Sequence, residues 1–355
     1  MDITKIDRNF LDSEECSKEP LQYFDVAKPP FSMFGMFYDA ERGTFLRMPQ
    51  EIADTVNEGV SCLNNNTAGG RIRFSTNANG FNIIVKYKEM DIMPHMTLRG
   101  SKGFSLSVNS GNGEKFLASF GPTAKDTEGF SQWIGLPKDG KYYTLYFPLY
   151  HAVDNVFIGF SKTAEVGAGL PYKDIKPILY YGSSITQGGC ANRADTSYPG
   201  LICLQNDVDY INLGFSGNAL AEPQMIEYLS TIDCSVAVLD YDCNAPTVEY
   251  LQKTHYPMYE IYRKNRPTTP IIFVSKPNYY YDATAQARVN VIRETYKKAK
   301  RLGDNNVYFI DGRRLFGKDY PLCTVDRTHP TDLGFYKMAK VIGRTVNSIL
   351  ENQQK

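Results

Sequence analysis

The rhythm of apolar residues changes once along this chain, and that change limits its folds more than any other feature. Up to about residue 160 the period is two. Phe81, Ile83, Val85 and Tyr87 alternate with polar neighbours, as do Phe104, Leu106 and Val108, and then Val156, Ile158 and Phe160. Alternation of this kind puts one face of a strand in a core and the other toward water. Turn clusters separate the runs: "NNNTAGG", "TNANG", "NSGNGE" and "PKDGK". Short strands punctuated in this way predict an all-β, antiparallel sandwich over residues 1–165. The first 40 or so residues are less regular and are not placed by this argument.

From about residue 175 the rhythm is different. Ile178–Tyr181, Tyr210–Leu213, Val236–Leu239, Ile271–Val274 and Val307–Ile310 are short continuous apolar runs, as expected of strands buried on both faces. Helical patterns lie between them. Over 284–302, Ala285, Val289, Ile292, Tyr296 and Ala299 form one stripe with basic residues opposite, and a last helix starting near Thr331 carries Phe335, Met338, Ala339, Ile342 and Val346. Strand alternating with helix predicts an α/β unit over 175–355, a parallel sheet with helices on both faces. The Gly- and Pro-containing segment "KTAEVGAGLPYKDIKP" reads as the linker. With 355 residues, 42% of them hydrophobic, the chain has material for two cores.

Charge and cysteine content remove several function classes. Lys plus Arg and Asp plus Glu both number 39, so no basic excess argues for nucleic acid. No stretch approaches the ~18 apolar residues of a membrane span. The opening "MDITKIDRNFLDSEEC" has no secretory pattern. Seven cysteines are scattered (Cys16, Cys62, Cys190, Cys203, Cys234, Cys243, Cys323), an odd number with no Cys-x-x-Cys pair, which fits neither a disulfide framework nor a zinc site. Reduced thiols in a cytoplasmic protein are the simplest account.

In a parallel sheet the ligand site lies beyond the carboxyl ends of the strands, so those ends are where chemistry is expected. The first strand runs into Gly182-Ser183-Ser184-Ile185-Thr186. Glycine permits a tight turn, and a serine at a helix start has free N–H groups beside it that stabilise an oxyanion. The plainer alternative is an N-cap serine. The second strand ends in "NLGFSGNA", where Gly214 and Gly217 serve either a turn or close approach to a ligand. The third ends in "DYDCNAP", where Asn244 either donates to a developing negative charge or merely turns the chain. The last segment is "DRTHPTDLG". His329 sits before the final helix, with Asp326 three residues earlier and able to take a ring N–H, which leaves the other ring nitrogen for a serine proton. Taken singly, each plainer reading is adequate. Together, separate strand ends supply a nucleophile, oxyanion donors and an oriented base on one edge. His95, His151 and His255 have no comparable setting and receive no role.

These four segments resemble the sequence blocks of the SGNH hydrolase superfamily, the GDSL-like esterases. "GSSIT" is similar to the first block, with Ser184 at the nucleophile position. "NLGFSGNA" is similar to the second, with Gly217 as the oxyanion glycine, and "DYDCNAP" to the third, with Asn244 as an oxyanion donor. "DRTHPTDLG" is similar to the fifth, with Asp326 and His329. The likeness spans about 176–350, and "YYTLYFPLYHAVDNVFIGF" resembles the end of the β-sandwich domain that precedes the hydrolase domain in some bacterial members. It departs at Ser183, where Asp is usual, and at Asp242 and Ala245 around Asn244. The lack of Gly-x-Ser-x-Gly separates it from the α/β-hydrolase elbow.

The resemblance implies a flavodoxin-like three-layer α/β/α hydrolase domain after a jelly-roll-like sandwich. It implies a serine esterase with a Ser184–His329–Asp326 triad and an oxyanion hole of Ser184, Gly217 and Asn244. No metal and no organic cofactor is called for. The expected substrates are short acyl esters, acetyl foremost, on sugars or oligosaccharides; a homo-oligomer is left open. The tyrosines of "NYYYD", Asn278 to Asp282, either stack on sugar faces or pack a domain interface, and Trp133 is more simply a sandwich core residue. The competing readings are a lipase or thioesterase and a non-catalytic glycan-binding protein.

Overall fold

The computed structural model describes residues 20–111, 113–277 and 279–353. The acidic opening segment with Cys16, and Asn278 of the tyrosine stretch, lie outside these residues.

The alternating runs form two antiparallel sheets. One has the order Leu21–Asp25, Asn155–Ser161, Gly80–Lys86, Gly129–Gly135. The other has the order Val166–Ala168, Arg71–Thr76, Tyr142–Tyr146, Phe104–Asn109, Glu114–Phe120, with Ser32–Phe34 also paired to Arg71–Thr76. Phe81, Ile83, Val85, Val156, Ile158 and Phe160 from the first meet Ile72, Phe74, Phe104, Leu106 and Leu145 from the second in one core. Alternation put these residues on a common face, and burial of that face holds the sheets together.

Three differences from the sequence reading stand out. Val166–Ala168, inside the expected linker, is a strand on the edge of the second sheet. Trp133 is half-buried and not in the core. It stands opposite Asn82, while their neighbours Phe81 and Ile134 face inward, so Trp133 occupies the outer face, lying across Gly80. Short helices also interrupt the strands at Gln50–Val56, Glu58–Leu63 and Leu98–Lys102. The first two bury Ala53 and Val60 against Leu213, Phe215, Met225 and Ile226 of the C-terminal half. Their partners lie ~150 residues away, so no local rhythm announced them.

The C-terminal half is a five-stranded parallel sheet in the order Tyr210–Gly214, Ile178–Gly182, Val236–Asp240, Ile271–Val274, Val307–Ile310. This is the flavodoxin-like order, second strand outermost and first strand beside it. Successive residues of each strand face opposite sides. Ile178, Tyr180, Val236 and Val238 pack on helices Tyr198–Asn206 and Asp332–Gln353. Leu179, Tyr181, Ala237 and Leu239 pack on helices Pro223–Thr231, Val248–Asn265 and Ala285–Arg301. The result is three layers, with no helix among the described residues long and apolar enough to cross a membrane.

Buried arginines join the halves along the edge strand Tyr210–Gly214. Arg47 donates to the carbonyls of Asn212 (3.2 Å), Gly214 (2.6 Å) and Leu63 (2.7 Å), with its guanidinium over the Phe215 ring. Arg71 pairs with Asp209 and donates to Tyr210 O (3.2 Å). Arg73 pairs with Glu114 and with Asp207. An open sheet edge is thereby capped by charged donors and does not template another strand.

Candidate active site

The register pairs Gly182 with both Gly214 and Asp240, so three strands end level. The turn after the first needs glycine. A Cβ on Gly182 would stand 2.5 Å from Asp240 O and 2.2 Å from Thr186 Oγ1. Ser183 is extended, and its Oγ accepts from Ile185 N (3.2 Å), so it is Ser183 that takes the cap role. Ser184 is thereby the first helical residue of Ser184–Gln187, with its side chain released for other work.

The Ser184 hydroxyl lies 2.9 Å from His329 Nε2, and His329 Nδ1 lies 2.7 Å from Asp326 Oδ2. The loop builds this arrangement locally. Asp326 Oδ1 accepts from the backbone N–H of Thr328 (3.0 Å) and His329 (2.8 Å), Arg327 takes a left-handed φ of 70°, and Val325 N donates to His329 O (2.9 Å). Burial acts to raise the Asp326 carboxyl, but the N–H and ring of His329 and the N–H of Thr328 outweigh it and hold it below the usual carboxylate range. An ionised Asp326 fixes the proton on Nδ1, which leaves the Nε2 lone pair to accept from Ser184. Three residues from opposite ends of the sheet domain are thus joined by hydrogen bonds.

The other two expected residues sit on adjoining turns. Asn218 N donates to Phe215 O (3.0 Å), with Gly217 at φ 73° in the third position, the conformation a type II turn reserves for glycine. A Cβ there would meet nothing within 4 Å, so this face is open. The first two residues of the turn are tied to the Ser184 segment: Phe215 N donates to Gly182 O (2.8 Å) and Ser216 N to Gln187 Oε1 (3.0 Å). Asn244 ends a short 3₁₀ turn, Asp242–Asn244, and spends one amide hydrogen on Phe215 O (2.9 Å). The second hydrogen is left for another acceptor.

The departures from the family blocks have structural employment. Asp242 is buried, accepts from Lys276 N (3.0 Å) and pairs with Arg288 (3.1 Å), whose guanidinium also donates to Ala245 O (2.8 Å). Arg288 therefore clamps the turn that presents Asn244. Burial, and then the charge of Asp242, push the Asp240 carboxyl far up, and its Oδ2 accepts from the hydroxyls of Tyr198 (3.3 Å) and Thr186 (3.4 Å) beneath the site.

Several residues at the site escaped the sequence reading. Tyr150, from the sandwich side, donates to Ser184 O (3.0 Å), and Gln187 Nε2 donates to Leu149 O (3.1 Å). The His95 ring lies 5.5 Å from that of His329, and Cys190 is close to both. Burial, and then the charge of Asp326, push the Cys190 thiol up to about 12. No motif marks these residues; they arrive through domain packing. Beside the Ser216–Asn218 turn, a cleft of about 730 Å³ between the halves is lined by Asn65, Asn66, Lys88, His151 and Asp154.

Fold and site define an α/β protein with a hydroxyl, an imidazole and a carboxylate linked at the carboxyl edge of a parallel sheet. The GDSL-like lipase/acylhydrolase family model matches residues 175–347, and the N-terminal model of the SGNH-hydrolase-type esterases matches 21–166. The chain belongs to the GDSL-like lipase/acylhydrolase family, of SGNH type, and is a hydrolase of carboxylic ester bonds. Among solved structures it is similar to a protein from Bacteroides ovatus assigned as a GDSL-like lipase: 26% identity, TM-score 0.84, over 94% of this chain and 98% of that one. The fold also resembles a salicylyl-acyltransferase from a tetracycline biosynthetic pathway (16% identity, TM-score 0.76, 93% and 97% covered). An acetyl xylan esterase from the rumen bacterium Butyrivibrio proteoclasticus shares it too (15%, TM-score 0.61, 93% and 99% covered). No curated protein matches the chain.

Proposed function

We propose that this hydrolase removes short acyl groups, acetyl foremost, from carbohydrate esters by way of an acyl-enzyme on Ser184. The observation that carries the reading is the unbroken hydrogen-bonded chain Ser184–His329–Asp326. His329 Nε2 takes the hydroxyl proton as Ser184 Oγ attacks the ester carbonyl. Asp326 keeps the ring in its tautomer and stabilises it once charged. The N–H groups of Ser184 and Gly217 and the second amide hydrogen of Asn244 receive the oxyanion. His329 then protonates the departing alcohol, and water, activated by the same imidazole, releases the acid and restores Ser184.

The sugar part of the reading is supported by the cleft beside the oxyanion turn, which carries Asn65, Asn66, Lys88 and Asp154 on its walls. Polyhydroxylated ligands are fixed by such side chains. The exposed rings of Tyr280 and Tyr281 adjoin the histidine loop, with Arg327 over Tyr281, and offer a face on which a sugar ring stacks. The fold relative from B. proteoclasticus acts on acetyl xylan.

A longer acyl chain is the second reading, favoured by exposed Leu322, Val325, Leu333 and Tyr336 on the loop and helix that flank His329. Turnover of p-nitrophenyl acetate, p-nitrophenyl palmitate and acetylated xylo-oligosaccharides, by wild type and Ser184→Ala, decides the matter. The acetyl reading expects the acetate esters to be preferred and Ser184→Ala to lose nearly all turnover. Equal rates in wild type and Ser184→Ala would sink the mechanism, and preference for palmitate would shift the substrate.

A further inference from the structure

His95, Cys190 and His329 come from three distant segments: a loop of the sandwich, the loop after the nucleophile and the loop before the last helix. One ligand-type atom from each lies within 4.8 Å of the other two. Their backbones are held in place independently of any ligand. Cys190 N donates to Pro330 O (3.2 Å), and Asn192 donates through both N (3.0 Å) and Nδ2 (2.9 Å) to the carboxylate of Asp332 at the start of the last helix. Thr97 Oγ1 reaches Asn192 Oδ1 (3.4 Å), which ties the His95 loop to the same point. The cluster is a built feature of the domain junction, and the esterase reaction gives neither His95 nor Cys190 a task.

We propose that these three side chains form a site for a thiophilic divalent cation, zinc in the first instance, and that filling it switches the hydrolase off. The donor set decides the ion. Two imidazoles and a thiolate are borderline-to-soft ligands that suit zinc and reject magnesium and calcium, which need oxygen. Zinc bonds of ~2.0–2.3 Å in a tetrahedron place ligand atoms roughly 3.5 Å apart. The cluster, whose ligand atoms lie within 4.8 Å of one another, therefore has to contract by up to about 1 Å on binding. On binding, the Cys190 thiol gives one proton to solvent and coordinates as thiolate. His329 has one lone pair to give, on Nε2, because Nδ1–H is held by Asp326. That lone pair is the one that accepts the Ser184 hydroxyl, so the ion and the serine compete for it. Inhibition follows from geometry, with the fourth position of the ion left to water or to Ser184 Oγ.

The test uses the full chain, free of chelators. Zinc is titrated against p-nitrophenyl acetate turnover, zinc binding is measured by competition with a chromophoric chelator, and cobalt serves as a spectroscopic stand-in that shows a thiolate charge-transfer band. The expected result is one bound zinc per chain, loss of turnover in step with binding, recovery on adding EDTA, and no effect of magnesium. His95→Ala and Cys190→Ala should each weaken zinc by at least roughly tenfold, the lower end of what even outer-sphere partners contribute. Cys190→Ala should also lose the cobalt band. Ser184→Ala should bind zinc and show the band, so binding is read even if the esterase assignment is wrong. Unchanged zinc affinity in both His95→Ala and Cys190→Ala, or a wild-type cobalt spectrum without the thiolate band, would overturn the proposal. His95→Ala alters a loop side chain and keeps the test valid should the buried Cys190 variant fail to fold.

Discussion

Asn244 gives one amide hydrogen to Phe215 O, and the proposed mechanism gives the other to the oxyanion. Asn244→Ala therefore removes a donor and loosens the turn carrying Gly217. A fall in kcat of ~10²–10³ with little change in KM is expected, the usual consequence of losing one oxyanion donor; steady-state kinetics on p-nitrophenyl acetate measures it. Asp242 illustrates what could and could not be read from the string. Its departure from the family block was visible, but its employment was not. Only the fold brings Arg288 and Lys276 N to its carboxylate.

Two further side chains give the molecule an acid weakness. Burial pushes His255 down to about 3, and His151, chiefly through burial and then through the charge of Lys102, down to about 4. Both stay neutral in the folded chain while the unfolded chain protonates them near 6.5. The unfolded state then binds more protons, so stability is full above pH 6.5 and drains as pH falls toward 4 and 3. Each contributes a slope of up to ~1.4 kcal/mol per pH unit. Urea midpoints between pH 8 and 4 should show this loss, and His255→Phe should remove one proton's share of it.

At the scale of elements, the glycines at the strand ends are not equivalent, although they read alike. Gly214 has the backbone of Gln187 against it, and a Cβ would stand 2.2 Å from Gln187 N. Gly217 has open space but a positive φ. Gly214→Ala is therefore expected to displace the nucleophile helix and abolish activity. Gly217→Ala should cost about 1–3 kcal/mol of backbone strain and retain measurable turnover. Thermal unfolding and kcat of the pair separate the cases, and similar losses in both would contradict the packing argument. Strands Ile271–Val274 and Val307–Ile310 coincide with the apolar runs seen in the sequence, and helix Ala285–Arg301 with the amphipathic stripe. These elements bury faces defined by their own spacing, so local pattern located them. The helices Gln50–Val56 and Glu58–Leu63 bury against the other half of the chain, and their short apolar pattern carried no period of its own.

For the whole molecule, the sandwich is part of the candidate active site's frame. Arg47 caps the carbonyls of Asn212 and Gly214 on the strand that leads into Gly217, and Tyr150 touches the Ser184 backbone. Arg47→Ala leaves buried carbonyls without donors, at ~1–3 kcal/mol for each. It should lower the melting temperature and also kcat, though Arg47 is not among the reacting groups. A variant that melts early but keeps wild-type kcat would show that the two halves are coupled in stability alone.

The string of residues carried the two rhythms and the parallel α/β class, because periodicity is a local property; strand-end chemistry singled out Ser184, Asp326 and His329 as candidates, and the family resemblance added Gly217 and Asn244 as expected oxyanion donors. Folding alone settled what crosses between distant segments: the arginine-capped edge, the Arg288 clamp, and the arrival of His95 and Cys190 beside His329. Those contacts join residues far apart along the chain, and their proximity exists only once both cores have packed and brought the halves together.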